Sequence, residues 1–161
     1  MNPEELKDKI LDWIAEKDFL ILKVTKTQRT HFIFVIKSKQ RSILNFPINV
    51  ALSKKPEALL LSLISVIKGE DNKSFRGIDK KYMEKLVGEL ADRARSSDLD
   101  FSFSSSNNET RFRGIRTLFP HELTREVFFM EISVLNEYRN YLHNTFKKYK
   151  LSKLKGTNYG I

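Results

Sequence analysis

Residues 19–50 read FLILKVTKTQRTHFIFVIKSKQRSILNFPINV. Three runs rich in β-branched and aromatic residues stand out: Phe19 to Lys26, His31 to Lys37, and Ser42 to Val50. Runs of this length and composition read as strands. The connections, Thr27-Gln28-Arg29-Thr30 and Ser38-Lys39-Gln40-Arg41, are short and polar. A parallel return needs a crossover of about a dozen residues or more, so these loops predict an antiparallel meander. Pro47 has no N–H to donate, which makes the third strand an edge or a bulged strand there. By alternation, Leu20, Leu22 and Val24 oppose Phe19, Ile21 and Lys23; Phe32, Phe34 and Ile36 oppose Ile33 and Val35; Leu44, Phe46 and Ile48 oppose Ile43, Asn45 and Asn49. Both faces of the meander are largely apolar, whereas a sheet with one wet face alternates cleanly. A helix, a second subunit or a partner chain is needed to cover the second face.

Working outward, residues 2–17 carry Asn2, Pro3, Glu4 and Glu5 at a helix start and Leu6, Ile10, Trp13 and Ile14 on one stripe. Residues 54–68 read as a second helix, opened by Pro56 and Glu57 and apolar over nearly its whole circumference. Such a helix lies either at a subunit interface or between the sheet and other helices. Residues 69–78 read as a polar loop, and Asp79 caps a third helix to about Ser96. Asp98 to Ser104 and Thr110 to Phe119 read as a hairpin, with a bulge at Gly114 to restore the register. A long helix follows from about His121 to Tyr149, although Val127 to Leu135 is β-branched and aromatic enough to begin as a strand. The expected fold class is therefore α+β in two layers. A five-stranded antiparallel sheet, a meander of three plus a hairpin of two, carries an N-terminal helix, a middle helix pair and a long C-terminal helix. Residues 1–151 read as one domain and 152–161 as a basic tail expected to fray.

The chain has 161 residues and 12 phenylalanines but no cysteine, which rules out disulfides, thiolate metal sites and cysteine nucleophiles. Its start, Met1-Asn2-Pro3-Glu4-Glu5, is acidic rather than a signal peptide. The longest apolar run, Ala58 to Ile67, is short of the roughly 20 residues a membrane span needs. A cytoplasmic protein without membrane contact is expected. The net charge is +9, and residues 19–56 hold six lysines and two arginines with no acid. This makes either a basic face for nucleic acid or an acidic protein, or a solvated surface.

No catalytic signature emerges. The six glycines show no phosphate-loop pattern. His121-Glu122-Leu123-Thr124-Arg125 matches a zinc-protease helix only until Arg125, which cannot replace the second histidine ligand. Glu70 with Asp71 and Asp98 with Asp100 are sequence neighbours rather than opposed carboxylates across a cleft. No residue is therefore assigned to catalysis, a cofactor or a metal.

The order of helix, three-strand meander, helices, two-strand hairpin and long helix resembles the type III secretion chaperone-like fold. It is also similar to an uncharacterised archaeal family with that fold, whose members open much as Met1 to Leu20 does. The resemblance implies a non-enzymatic, often dimeric protein, and the secretion chaperones bind extended segments of client proteins. The helix at 79–96 looks like an elaboration. Together with the surplus apolar surface, this gives the expectation of a chaperone-like or adaptor domain. It would be a homodimer that binds an unknown protein client, using Leu60, Leu61, Ile64, Ile67, Phe19 and Ile21. The alternative is nonspecific nucleic-acid binding through Lys37, Lys39, Arg41, Arg111, Arg113, Arg116, Lys147 and Lys148.

Overall fold

The Asn2 side chain accepts a hydrogen bond from the Glu5 N–H at 2.9 Å, and Glu5 Oε2 accepts from the Asn2 N–H at 3.1 Å. This reciprocal cap, with Pro3 at the first helical position, starts α1 (Pro3–Glu16). A computed structural model of the chain describes residues 2–17, 19–38 and 47–153. After α1 come β1 (Phe19–Thr27), β2 (Thr30–Ser38), β3 (Ile48–Lys54), β4 (Glu57–Lys68), α2 (Gly69–Arg76), α3 (Lys80–Ser96), β5 (Asp100–Ser105), β6 (Glu109–Leu118) and α4 (Arg125–Lys153), with a short 3₁₀ turn at Pro120–Glu122. The fold is α+β, on a six-stranded antiparallel sheet of order β1-β2-β3-β4-β6-β5. The chain groups into two compact units, residues 1–63 with 115–136 and residues 64–114 with 137–161.

The sixth strand corrects the expectation of five. Residues 54–68, expected as a helix, form β4, which pairs with β3 through Leu52↔Leu59, Val50↔Leu61 and Lys54↔Glu57. A strand that is apolar at both parities has no period-two signal and fills a helical wheel just as well. Pro56 sits in the two-residue turn between β3 and β4 rather than opening a helix. The middle helix pair is therefore α2 and α3, and α2 forms from the segment expected as a loop. Gly69, at φ +60°, makes the turn from strand to helix that a side chain would strain. The described part of the anticipated third strand is β3 from Ile48, and residues 42–46 lie outside the described residues. The stretch 127–135 is helical, because Phe128, Ile132 and Leu135 recur at helical spacing and are all buried.

The unit of residues 1–63 and 115–136 builds its core on one sheet face. Phe32, Phe34 and Ile36 of β2, Ile48, Val50 and Leu52 of β3, and Leu59 and Leu61 of β4 are all buried. Leu6, Ile10 and Ile14 of α1 and Phe128, Ile132 and Leu135 of α4 complete it. Trp13 meets Phe128 at 5.8 Å between ring centroids, and Arg125 Nε donates to Glu16 Oε2 at 2.7 Å. Ile33, Val35, Asn49, Ala51 and Leu60, on the other face, are only half-buried.

The unit of residues 64–114 and 137–161 has an aromatic core. Phe75 of α2 stacks on Phe146 of α4 at 5.1 Å and meets Phe112 of β6 edge-on at 5.7 Å. Leu86, Leu90 and Ala94 of α3 are buried, as are Leu99, Tyr138 and Leu142. The Tyr138 hydroxyl donates to the Leu90 carbonyl at 3.0 Å. Burial, and secondarily the nearby Tyr141, pushes that phenol well above its usual pKa.

Candidate functional site

Among the described residues, β1 is an edge of the sheet, with β2 on one side only. An edge strand presents unpaired backbone donors and acceptors along its free side. Here the side chains are apolar as well: Leu20 is 41% exposed, Ile21 40%, Leu22 53% and Val24 53%. The register explains why so much stays out. Ile21 lies opposite Ile36 and Lys23 opposite Val35, so Leu22 is an extra residue with no partner in β2. The expected alternation along this strand is broken at that bulge. Leu20 pairs with Lys37 on the half-buried face, while Val24 pairs with Phe34 on the core face. Lys23 is exposed beside these apolar groups, and so is Lys26.

The face behind this edge is small and mixed. Thr25, Ile33, Ala51 and Leu60 form one row across four strands, and Lys23, Val35, Asn49 and Ser62 the next. His31 of β2 lies 3.6 Å from a Glu57 carboxylate oxygen at the start of β4.

The expected interface residues divide. Leu61 is fully buried opposite Val50, and Phe19 is buried with its ring 6.2 Å from Phe129, so both are core rather than surface. Leu60 and Ile64 are half-buried on β4, Ile67 lines a pocket, and Ile21 is exposed on β1. Alternation alone does not mark Leu20, Leu22 and Val24 as surface residues. The available signal was that the first strand of a meander is a sheet edge unless something later pairs with it.

The basic candidates also divide. Lys39 and Arg41 lie outside the described residues. Lys37 is half-buried. Arg111 and Arg113 are exposed and alternate with buried Thr110, Phe112 and Gly114, so they point away from the aromatic core. Arg111 pairs with Glu109 at 3.2 Å. Arg116 points the other way and pairs with the buried Glu131 at 3.0 Å, a structural contact. Lys147 and Lys148 are exposed on α4, and Lys147 lines the same pocket as Ile67.

His121 lies in the 3₁₀ turn with its ring 6.1 Å from Phe119, and Glu122 accepts from the Phe119 N–H at 3.3 Å. This local cap uses the glutamate that a zinc-protease reading would need. Among the described residues, no group of three or more histidine, aspartate or glutamate side chains is placed to hold a metal ion. Among them, too, no helix is long and apolar enough to cross a membrane.

A crystal structure of an uncharacterized protein from Methanothermobacter thermautotrophicus is similar in fold, with a TM-score of 0.73 over 88% of this chain and 96% of that one, at 12% sequence identity. No curated protein matches the chain. The profile of an uncharacterized conserved protein family, DUF2299, matches residues 6–146, and the chain belongs to that family.

Proposed function

We propose that the protein is a non-enzymatic, chaperone-like or adaptor domain that binds an extended segment of another protein along β1. The observation that carries this is the exposure of Leu20, Ile21, Leu22 and Val24 on an edge strand. A long apolar edge invites strand addition and is ordinarily blunted in a monomer that binds nothing. Lys23 and Lys26 on the strand favour a segment in which apolar and acidic residues alternate. The resemblance to secretion chaperones supports the same reading. A second copy of the chain also presents a suitable edge, so a homodimer built on β1 belongs to the same proposal.

Capture from native cells, with and without nuclease, tests the reading. The wild-type protein should retain a partner that the double variant Leu22→Glu, Val24→Glu loses, and nuclease should not release it. Light scattering after size exclusion reads whether that partner is a second copy. Equal capture by the variant, or none by the wild type together with a monomer in solution, overturns it. Arg113, exposed on β6, and the net charge of +9 favour nonspecific nucleic-acid binding as the second reading. A salt-dependent gel shift that Arg113→Glu weakens is its signature.

A further inference from the structure

Arg139, His143 and Lys147 follow one another at i, i+4 and i+8 along α4, so they lie on one face of that helix. All three line a pocket of about 360 Å³ within the unit of residues 64–114 and 137–161. Its other walls are Ser65 and Ile67 of β4, Phe112 of β6, and Leu142 and Phe146 of α4. That volume falls in the range of small-molecule sites, which are mostly apolar with a few convergent polar groups.

The apolar walls are held from behind. Phe112 and Leu142 are buried, and Phe146 is stacked on Phe75. The polar wall carries one sign only, since no aspartate or glutamate is among the described residues that line it. Arg139 is half-buried, and burial lowers its pKa from the ordinary value, yet a guanidinium stays protonated in proteins. Arg139 and Lys147 put two cationic side chains on the wall of the pocket, and an anion bound there makes charge-assisted hydrogen bonds with them.

We propose that this pocket binds a small amphipathic carboxylate, its apolar body against Ile67, Phe112 and Phe146 and its carboxylate at Arg139 and Lys147. A planar guanidinium matches a carboxylate with two parallel hydrogen bonds, and His143 and Ser65 offer further donors. The site lies on residues separate from the β1 edge and stands or falls independently of it.

Decanoate, held below its micelle-forming concentration, is the probe, followed by titration calorimetry on the full chain. Binding should be saturable at one per chain. Arg139→Gln and Lys147→Glu should each weaken it about tenfold or more, with the loss of their charge-assisted hydrogen bonds. Decanol should bind at least as weakly as decanoate does to those variants. Ser65→Leu, which fills the pocket, should abolish binding, and Leu22→Glu on β1, which contributes no lining residue, should leave it unchanged. Lys147 is exposed near the end of α4, so Lys147→Glu keeps the test valid if Arg139→Gln fails to fold. The proposal is overturned by absence of saturable decanoate binding to the folded protein, by binding that Lys147→Glu leaves intact, by equal binding of decanol, or by loss of binding in Leu22→Glu.

Discussion

Gly114 of β6 lies directly beneath the ring of Tyr138: a Cβ at position 114 would sit 3.1 Å from Tyr138 Cε1 and 3.2 Å from Cδ1. The ring has nowhere to retreat. It is buried, and its hydroxyl is tied to the Leu90 carbonyl of α3. Overpacking such a site costs about 1–3 kcal/mol. That outweighs the roughly 0.5–1 kcal/mol gained when glycine is removed from a regular element. Gly114→Ala should therefore lower the urea midpoint. An unchanged midpoint would show that the ring moves.

The same tyrosine makes stability depend on alkaline pH. Its folded pKa lies above the unfolded value, so the folded state holds the phenolic proton more tightly. This contribution is complete below about pH 10, the ordinary value for tyrosine. It declines as the pH rises above that and the unfolded chain ionises first. Tyr138→Phe should lose about 0.5–1.5 kcal/mol at neutral pH with the hydrogen bond. It should also fall less steeply than wild type between pH 10 and 11.5. Parallel thermal-melt profiles of the two proteins would remove Tyr138 as the source.

How much of this was legible in the sequence depended on whether a segment keeps one face wet. α1 was legible because Asn2, Pro3 and Glu5 are a cap signal and Leu6, Ile10 and Ile14 a single stripe. β2 was legible from its flanking polar turns. β4 was not, because Leu59, Leu60, Leu61, Leu63 and Ile64 make it apolar at both parities and periodicity cannot separate a strand from a buried helix there. α2 was hidden for the opposite reason. Gly-Glu-Asp-Asn-Lys-Ser is polar and loop-like, and its anchors, Phe75 packed on Phe112 and Phe146 and Asn72 bonded to Thr110, meet elements distant in sequence. For the β1 edge, the apolar residues could be read but the unpaired edge and the bulge at Leu22 could not, because both depend on strand pairing. The basic candidates show the same limit. Arg111 and Arg113 face outward as alternation requires, but nothing local tells that Arg116 meets Glu131.

A buried polar contact ties α2 to the β5–β6 hairpin. The Asn72 side chain accepts from Thr110 Oγ1 at 2.6 Å and donates to the Ser106 carbonyl at 3.1 Å. Both residues are buried; without Asn72, Thr110 Oγ1 keeps only its contact with Ser105 Oγ at 2.9 Å, and the Ser106 carbonyl loses its Asn72 donor. Asn72→Ala should cost about 1–3 kcal/mol in chemical denaturation. Asn72→Asp should be no better, because a carboxylate cannot donate to the Ser106 carbonyl. Wild-type stability in either variant would mean that water replaces the contact.

Glu131 is almost wholly enclosed, and its partner Arg116 is half-buried. Removing the acid leaves a guanidinium in a poorly hydrated place. For fully buried pairs such a break costs about 3–5 kcal/mol, and partial exposure of the arginine reduces this. Glu131→Gln should destabilise the protein by about 1–2 kcal/mol. The double variant Glu131→Leu, Arg116→Met should recover most of the loss, because replacing both charges avoids the stranded cation. A double variant no better than the single one would show that Arg116 is needed for another contact.

Leu22 separates a structural role for β1 from a recognition role. It has no register partner in β2 and is 53% exposed, whereas Phe34, one strand inward, is fully buried. Surface substitutions away from special features stay within about 0.5 kcal/mol, and truncating a buried phenylalanine costs about 3–5 kcal/mol. Leu22→Lys should therefore leave urea unfolding nearly unchanged, while Phe34→Ala destabilises strongly. Association should rank them in the opposite order. Leu22→Lys, by putting a second cation beside Lys23 on the edge, should lose self-association or partner capture. Phe34→Ala, assayed below its melting temperature, should retain it. If Leu22→Lys instead unfolds the protein, the exposed residues of β1 belong to the core of a larger folded assembly, and the monomer is not the unit in which this strand is stable.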